Sequence, residues 1–392
     1  MTPGAEGSPD LRGAFSGRSV LVTGHTGFKG SWLALWLHRL GANVTGLGLE
    51  PPTNPNHFEV SAIGELLTED VRGDVRDTEL VAEALARSEA DVVFHLAAQP
   101  IVRTSLLAPV ETFAVNVLGT ASLLDAVRMS DRPCAVIVVT SDKCYRNDGE
   151  VWGFRETDPL GGHDPYSASK AASELVVDAY RSSYFPPDRV DEHGVRLASV
   201  RAGNVIGGGD WADDRIVPDA VRALAAGEDL VVRNPGSTRP WQHVLEPLSG
   251  YLALAERMVT DRASPRWSAS WNFGPSSTDE ATVAELAEAI TAAWGDGRWV
   301  RTASAREDVE ATTLRIAIDK AVTLLKWRPR WRFGEAVERT VEWYRDYYGG
   351  PPSGSMQERS LCDIDSYEAA LAKRHGAEGE VSGVGSPTPP VA

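Results

Sequence analysis

S-V-L-V-T-G-H-T-G-F-K-G, residues 19–30, is the stretch of this chain that decides its fold, and the amphipathic run S-W-L-A-L-W-L-H-R-L follows it directly. Residues 20–23 favour a strand that stops at Gly24, and glycine recurs at Gly27 and Gly30. In a strand–turn–helix unit one such glycine makes the turn, one lets the backbone approach a pyrophosphate, and one lets the helix pack close to its strand. Because a helix N-terminus offers unpaired N–H groups to phosphates, the stretch predicts a dinucleotide-binding turn. On these residues alone, a glycine-rich turn without a ligand is the alternative.

The composition narrows the class of protein. With 392 residues, 42% of them hydrophobic, the chain is long enough for one large or two ordinary globular domains. The formal net charge of -16 is spread along the chain, so the sequence shows no footprint for nucleic acid and no basic helix for a membrane surface. The three cysteines are odd in number and lack C-x-x-C spacing, which argues against a disulfide framework and a zinc site. We therefore expect no metal, no nucleic-acid partner and no membrane association.

The N-terminal sequence carries no targeting signal. M-T-P-G-A-E-G-S-P-D has neither a basic region nor an apolar region, and no apolar run reaches the roughly 18 residues of a membrane span. Small polar residues, Gly and Pro dominate the first 15 positions, which predicts a disordered tail. We expect a cytoplasmic protein.

Strand-like and helix-like segments alternate from residue 19 to Trp211. This alternation predicts an α/β fold with a doubly wound parallel (Rossmann) sheet. After Trp211 the regularity changes, which indicates a smaller interleaved mixed α/β domain. The predicted division is a disordered tail at 1–15, an NAD-binding Rossmann domain at 16–205 with a return segment at 236–274, a substrate domain at 206–235 and 275–348, and a largely irregular C-terminal tail at 349–392.

Two acidic residues are candidates for the adenosine end of a dinucleotide. Residues 42–49 have the pattern of a second strand, and Glu50 at its end is a poor ribose ligand because Pro51 and Pro52 follow. No Arg or Lys stands near this strand end in the sequence, which argues against a cofactor 2′-phosphate and favours NAD over NADP. Asp74 follows the third strand and is a candidate acceptor for the adenine amine. The alternative is that Asp74 is only a turn residue.

A polar cluster follows the buried strand predicted at 134–140. Ser141, Asp142 and Lys143 stand at its C-terminal end, which is where ligands bind in open parallel sheets. The polar loop 146–164 comes next and has the length of a loop that covers a substrate.

Tyr166 and Lys170 lie four residues apart at the start of a predicted helix, so they share one helix face. Removal of a hydroxyl proton takes a base with a pKa near neutrality, and an ordinary tyrosine is too weakly acidic. A lysine one turn away lowers the pKa of the phenol because a nearby cation favours the phenolate. The pair predicts Tyr166 as the base of a hydroxyl oxidation, with Ser141, or less well Thr140, bonded to the same oxygen. The alternative is a helix on which Tyr and Lys fall together by chance.

Separated motifs in one order resemble the extended short-chain dehydrogenase/reductase superfamily, and within it the nucleotide-sugar 4,6-dehydratases that act on CDP-glucose. They are T-G-H-T-G-F-K-G-S-W-L from residue 23, L-A-A-Q-P from 96, T-S-D-K-C-Y from 140, D-P-Y-S-A-S-K from 164, R-A-G-N-V-I-G-G-G-D-W from 201 and R-P-W-Q-H-V from 239. The resemblance extends over residues 17–345. It implies a hydro-lyase that uses and restores NAD in each turnover and produces CDP-4-keto-6-deoxy-D-glucose, a precursor of deoxysugars. It also implies that the substrate domain binds a nucleotide sugar.

The resemblance assigns catalytic roles by position. Tyr166 would take the C4 hydroxyl proton, and Asp142 would protonate the C6 hydroxyl as water leaves across C5 and C6 of the 4-keto sugar. The base at C5 is open, because most 4,6-dehydratases have Glu after this Asp whereas this chain has Lys143. Lys143 acts as that base only if it is neutral near pH 7; otherwise it orients or charges the site and another group takes the proton. The predicted catalytic residues are Ser141, Asp142, Lys143, Tyr166 and Lys170.

The binding residues follow from the motifs in the same way. The predicted cofactor-binding residues, besides Tyr166 and Lys170, are Gly24, Thr26, Gly27, Phe28, Lys29, Gly30, Asp74, Val75, Leu96, Ala97, Ala98 and Asn116. The predicted substrate-binding residues are Arg103, Asn204, Arg215, Arg239 and Asn272; Asn204, Arg239 and Asn272 stand where the family places its pyrophosphate contacts.

Other functions remain open on the sequence. A nucleotide-sugar 4-epimerase would share Tyr166, Lys170 and the cofactor site but would have no use for the acid Asp142. A dehydratase acting on another NDP-glucose fits the same motifs, and so does a regulatory module that senses a dinucleotide. The helices predicted near 112–129 and 166–184 would pack as a four-helix interface, which predicts a homodimer or a dimer of dimers.

Overall fold

The structure is a computed structural model, and it describes residues 10–276, 279–301, 314–352 and 354–373. The strands in chain order are β1 Ser19–Thr23, β2 Asn43–Gly48, β3 Glu69–Arg72, β4 Val92–His95, β5 Ala135–Val139, β6 Arg196–Ala202, β7 Val205–Ile206, β8 Leu230–Val232, β9 Thr238–Arg239, β10 Gln242–His243, β11 Ser270–Phe273, β12 Ala281–Thr282 and β13 Trp299–Arg301. The helices are α1 Leu11–Phe15, α2 Phe28–Arg39, α3 His57–Val60, α4 Thr78–Ser88, α5 Val102–Leu107, α6 Pro109–Phe113, α7 Gly119–Met129, α8 Pro165–Ser183, α9 Val190–His193, α10 Ile216–Ala225, α11 Leu245–Thr260, α12 Val283–Trp294, α13 Phe333–Gly349 and α14 Met356–Ala372.

A seven-stranded sheet in the order β11-β6-β5-β4-β1-β2-β3 is the centre of the fold, and all its pairings are parallel. The chain builds the sheet outward from β1 in both directions, first through β2 to β3 and then on the other side from β4 to β11. This confirms the predicted doubly wound Rossmann sheet. In such sheets the strand ends next to the reversal form the ligand crevice.

Successive side chains of each strand point to opposite faces of the sheet, and both faces are covered by helices. Val20 and Val22 pack into the core that includes α2 and α11, whereas Leu21 packs into the core that includes α4, α7 and α8. The central strands are therefore buried on both sides, which explains their continuous apolar sequences.

The segments around the sheet agree with a second, mixed unit. Helix α11 packs against β5, β6 and β11, as expected for a segment that returns to the sheet. Helices α10 and α12 pack against each other and against β8, which pairs with β13 in parallel. The division into domains at the predicted boundaries stays a prediction.

Both ends of the described chain hold more regular structure than expected. Helix α1 lies within the segment predicted to be disordered, and its Phe15 is fully buried. Helix α14 corrects the expectation of a largely irregular tail after residue 349. It buries Ile364 and Tyr367 completely, and the indole N–H of Trp36 donates to Glu368 at 2.9 Å. The overall composition of both end segments predicts little regular structure, but a few apolar residues in each are sufficient to pack its helix against the rest of the protein. The remainder of both predicted tails, 1–9 and 374–392, lies outside the described residues.

Helices α6 and α7 form one continuous stretch through a π-helical turn at Ala114–Leu118. This stretch, Pro109–Met129, is the one described helix with the length and hydropathy of a membrane span, and 44% of its most apolar window is buried in the protein. One face, with Leu123, Leu124 and Val127, packs into the sheet core. The opposite face leaves apolar side chains exposed.

Candidate active site

The turn between β1 and α2 has the geometry that its glycines predict. Gly24 has φ +74°, and a Cβ there would lie 2.6 Å from the Ala97 amide nitrogen. A Cβ on Gly30 would lie 2.0 Å from the Gly24 carbonyl oxygen, so only glycine lets α2 start this close to the turn. Gly27 is the N-cap of α2 and provides no capping side chain. The first N–H groups of α2 are thus available to an anion, as a dinucleotide pyrophosphate requires.

A cavity of about 1000 Å³ extends from this turn across the C-terminal ends of β4 and β5 to α10 and β8. All residues of the polar loop 146–164 lie outside its wall. The structure therefore does not place that loop over a substrate. The predicted site residues that line the cavity are Gly24, Thr26, Gly27, Phe28, Lys29, Gly30, Asp74, Val75, Leu96, Ala97, Ala98, Arg103, Ser141, Asp142, Lys143, Tyr166, Lys170, Asn204, Arg215 and Arg239.

Asp74 lies in the wall, but its carboxylate is already occupied. The Arg76 guanidinium donates to both Asp74 oxygens, at 3.0 and 2.6 Å, and to Glu111 at 2.8 Å. These hydrogen bonds lower the pKa of Asp74. Adenine recognition by Asp74 stays a prediction, and Arg76 is a wall residue that sequence reasoning missed.

The structure places a cation at the end of β2, where the sequence predicted none. Arg72 of the neighbouring strand β3 lies at that end and donates to the Leu49 carbonyl at 3.3 Å and to Glu50 at 3.4 Å. A search for basic residues near Glu50 in the sequence could not find Arg72, because strand pairing brings it there from 22 positions away. The absence of a nearby cation is therefore not a reason to prefer NAD.

The candidate catalytic centre is at the end of β5, where Ser141 and Tyr166 both line the cavity and Ser141 lies close enough to act on the Tyr166 phenol. Burial raises the pKa of Tyr166 to about 12, while Ser141 and the Arg215 charge act in the opposite direction. The Lys170 ammonium donates to the Val139 carbonyl at 3.3 Å. Burial and the nearby Lys29 charge lower the pKa of Lys170 to about 8. The predicted lowering of the Tyr166 pKa by Lys170 is therefore not what the structure shows.

Asp142 is the most unusual carboxyl group in the centre. It is 3% exposed, and burial raises its pKa even though Lys143, Lys29 and Arg239 lie near enough to favour the charged form. Its Oδ1 accepts from the Ser141 hydroxyl at 3.0 Å, and its Oδ2 is buried without a hydrogen-bond partner among the described residues. A Cβ on Gly203 would lie 3.0 Å from Oδ2, so the glycine keeps space beside this oxygen. These features suit a carboxyl group that carries a proton and donates it.

Two lysines face the same centre. Lys143 is half-buried directly after Asp142, and its backbone N–H donates to the Ser141 hydroxyl at 3.2 Å. Lys29 lines the cavity next to Gly30, and burial together with Arg215 lowers its pKa to about 8. Sequence reasoning placed Lys29 only among the cofactor contacts, whereas its charge also acts on Asp142 and Lys170.

All three arginines that were predicted to bind the substrate line the cavity. Arg239 is 7% exposed, and its guanidinium donates to the Thr238 carbonyl at 3.0 Å. Arg215 donates to Asp210 at 2.8 Å, and Arg103 donates to Asp214 at 2.8 Å. With Asn204, they add positive charge and an amide group to the cavity wall.

Asn116 and Asn272 lie outside the cavity wall. Asn116 is 1% exposed; it accepts from the Gln99 backbone N–H at 2.8 Å and donates to the Ser169 hydroxyl at 2.8 Å. Asn272 is fully buried and donates to the Phe154 and Ala317 carbonyls, at 2.9 and 3.1 Å. Both amides therefore hold backbone segments in place, and their binding roles stay predictions.

Behind the catalytic centre lies a buried ion pair that sequence reasoning missed. Arg201 donates to both oxygens of Glu174, at 2.9 and 2.8 Å, and both residues are 2% exposed. Glu174 also accepts from the hydroxyls of Thr140, at 2.5 Å, and Ser199, at 2.7 Å. Glu174 stands one helical turn after Lys170, and this spacing was a signal available in the sequence. The pair fixes Thr140, which directly precedes the catalytic Ser141.

Comparisons with known proteins show the family of this chain. A family model described as GDP-mannose 4,6 dehydratase matches residues 21–340. A curated CDP-glucose 4,6-dehydratase of Salmonella typhimurium is 46% identical over 352 residues, which cover 90% of this chain and 97% of that protein.

Among solved structures, DesIV, a dTDP-glucose 4,6-dehydratase from Streptomyces venezuelae with NAD and TYD bound, is 26% identical with a TM-score of 0.70, covering 84% of this chain and 98% of that one. The epimerase Mth375 of Methanothermobacter thermautotrophicus is also 26% identical, with a TM-score of 0.72, covering 87% of this chain and 96% of that one. The fold is thus shared by dehydratases and epimerases, and residues of the site must separate the two activities.

Proposed function

This chain belongs to the GDP-mannose 4,6-dehydratase family, and on that premise we propose that it is a hydro-lyase that converts CDP-D-glucose to CDP-4-keto-6-deoxy-D-glucose with NAD. The reaction oxidises C4, eliminates water across C5 and C6 and reduces C6, and its product is a precursor of deoxysugars. The observation that carries the proposal is the buried Asp142 carboxyl group, with its raised pKa, in the same cavity as Tyr166 and Ser141. An epimerase needs the last two residues and not the first.

The residues present fit NAD. The uncapped start of α2 and the glycine turn at 24–30 suit a pyrophosphate, and the backbone at 96–98 lies close enough to the turn to border a flat ring. Lys170 stands at the boundary between the cofactor end and the catalytic centre. When bound, NAD accepts a hydride from the sugar and later returns it.

Tyr166 and Ser141 hold the C4 hydroxyl and take its proton. The Ser141 hydroxyl lies near the Tyr166 phenol at the end of β5, where both can meet one sugar oxygen. Because burial keeps the phenol protonated at neutral pH in the free protein, ionisation of Tyr166 must accompany ligand binding. The Arg215 charge, which already acts on the phenol, favours that ionisation.

Asp142 supplies the proton for the departing C6 hydroxyl. A carboxyl group whose pKa is raised by burial holds its proton closer to neutral pH, which a general acid requires. Its unpartnered Oδ2 is the atom free to meet the C6 oxygen. Lys143, the next residue, is our candidate for the base at C5. This assignment rests on its position in the wall and on the absence of the usual Glu.

The proposal is tested by incubating the purified protein with NAD and, separately, CDP-, dTDP-, GDP- and UDP-glucose, with products identified by NMR. We expect a 4-keto-6-deoxy sugar, formed fastest from CDP-glucose. Formation of CDP-galactose would instead make the protein an epimerase. A preference for another nucleotide would keep the dehydratase and change its substrate, and no turnover of any of the four would favour a dinucleotide-sensing module.

We further propose that two copies associate through α6, α7 and α8. Val110 of α6 is 82% exposed, Leu118 of the π-helical turn 59% and Leu175 of α8 60%, and α6 and α7 both pack against α8. Burial of such a face in a homodimer, or in a dimer of dimers, removes apolar surface from water. Val151, 74% exposed on a loop outside these helices, is the matched control site.

We propose a cytoplasmic location. All three cysteines are free thiols; Cys134 and Cys144 are buried and Cys362 is exposed. Reduced cysteines are typical of proteins that work in a reducing compartment.

A further inference from the structure

The part of the cavity wall formed by α10, β8 and α12 has the features of a nucleobase site. Pro218 of α10, Val231 and Val232 of β8 and Val283 of α12 line it. Pro218 and Val232 are buried, whereas Val231 is 57% exposed although it belongs to this concave wall. A flat heterocycle placed here would cover the Val231 side chain, which the free protein leaves in water.

Asp219 is the acidic group of α10 in this wall. The Arg222 guanidinium donates to its Oδ1 at 2.6 Å and to the Trp211 carbonyl at 2.9 Å, so the carboxylate is held in a fixed orientation. The Arg222 guanidinium engages Oδ1, which leaves Oδ2 outside this pairing. One acceptor atom in the wall is therefore available to a ligand.

Charge limits what this oxygen can meet. A carboxylate repels a pyrophosphate, although Arg222 and Arg233 lie beside Asp219. The cations suited to the pyrophosphate, Arg215 and Arg239, lie nearer the catalytic centre, where their charges act on Tyr166 and Asp142. Asp219 therefore faces the nucleoside part of the substrate, either its ribose or its base. The apolar side chains beside it favour the base.

We infer that Asp219 selects the nucleobase by accepting a hydrogen bond from the exocyclic amine of cytosine. This inference rests on the proposed function and adds the group that reads the nucleotide. Carboxylates are suited to the cytosine amino group, which is a donor. Uracil presents a carbonyl oxygen at the same position. In a uridine nucleotide this oxygen would face the Asp219 carboxylate with no proton between the two acceptors, so Asp219 would make no hydrogen bond to the base.

The test compares CDP-glucose with UDP-glucose, which share the ribose, pyrophosphate and glucose and differ only in the base. Asp219→Asn keeps the shape of the side chain but offers either an oxygen or an N–H₂ group to the base. The ratio of kcat/KM for CDP-glucose over UDP-glucose is expected to fall by about tenfold or more in Asp219→Asn. Asp229→Asn is the matched control, since Asp229 pairs with Arg298 at 2.8 Å outside the cavity. Its ratio should equal that of the unmodified protein.

The outcomes separate the inference from the proposed function. Equal losses with both substrates in Asp219→Asn would assign Asp219 to the ribose and overturn the inference, and an unchanged ratio would also overturn it. If the unmodified protein does not prefer CDP-glucose, the proposed function itself fails. Binding of CDP and UDP to Asp219→Ala by calorimetry provides a readout independent of turnover. Loss of the preference for CDP supports base selection, and a retained preference refutes it.

Discussion

Replacement of Asp142 by Asn should separate the two halves of the reaction. Asn has the same shape as Asp, and its Oδ1 can still accept the Ser141 hydroxyl that now lies 3.0 Å from the carboxylate. The variant lacks only the proton that Asp142 would give to the C6 hydroxyl. Oxidation at C4, which depends on Tyr166 and Ser141, should therefore proceed.

The magnitude follows from the role of the lost group. A positioned general acid contributes about 10²–10⁴-fold to a rate, so elimination in Asp142→Asn should slow by that factor, or by about 3–5 kcal/mol in the barrier. The sign of the pH dependence follows from the raised pKa of Asp142. Elimination by the unmodified protein should fall as rising pH removes the proton, and Asp142→Asn should lose that limb of the profile.

Single-turnover experiments measure the two steps separately. The absorbance of the reduced nicotinamide reports oxidation, and NMR of the product reports elimination. We expect reduced cofactor to accumulate in Asp142→Asn, whereas Asp148→Asn, altered on the loop outside the cavity, should behave as the unmodified protein does. An elimination rate that is unchanged, or an oxidation rate that falls as far as elimination, would refute the role of Asp142 as the acid.

Three further outcomes test the surrounding structure. Arg201→Met leaves Glu174 as a buried carboxylate without its cation and should lower the free energy of unfolding by about 3–5 kcal/mol. The double variant that also carries Glu174→Leu should recover most of that loss. Equal losses in the single and the double variant, measured by urea unfolding, would contradict this pairing. Burial raises the pKa of Glu246 from 4.5 to about 7, so the folded protein binds more protons in that window and loses stability as pH rises through it. In urea unfolding measured from pH 5 to 8, the free energy of unfolding of Glu246→Gln should fall less with rising pH than that of the unmodified protein. An equal pH dependence of the two proteins would exclude this role of Glu246. The combined Val110→Lys and Leu175→Lys variant should halve the mass of the dimer in light scattering, and an unchanged mass would exclude this interface.

The local parts of the site could be predicted because short-range geometry fixes them. Gly24 and Gly30 occupy positions where a Cβ would collide with backbone, so their spacing alone indicates the turn. Tyr166 and Lys170 face the cavity together because four residues are about one helical turn. Ser141 and Asp142 follow a strand buried on both faces, and that pattern placed them at the carboxyl edge of the sheet.

Contacts between distant parts of the chain could not be predicted in this way. Asn116 and Asn272 stand at the positions that the motifs indicate, yet their amides bond to backbone 17 and 118 positions away. Arg72 reaches Glu50 through the pairing of two strands. Helix α14 docks through Tyr367, whose hydroxyl donates to Glu246 at 2.6 Å across 121 positions.

The sequence by itself therefore determined the sheet, the glycine turn and the shared helix face of Tyr166 and Lys170, because each depends on residues close together in the chain. Only the tertiary structure decided which of the predicted residues meet the cavity and how each one is charged. The pKa of Tyr166 is raised and that of Lys170 is lowered mainly by burial. Burial is a property of the packed surroundings, which come from segments far apart in sequence.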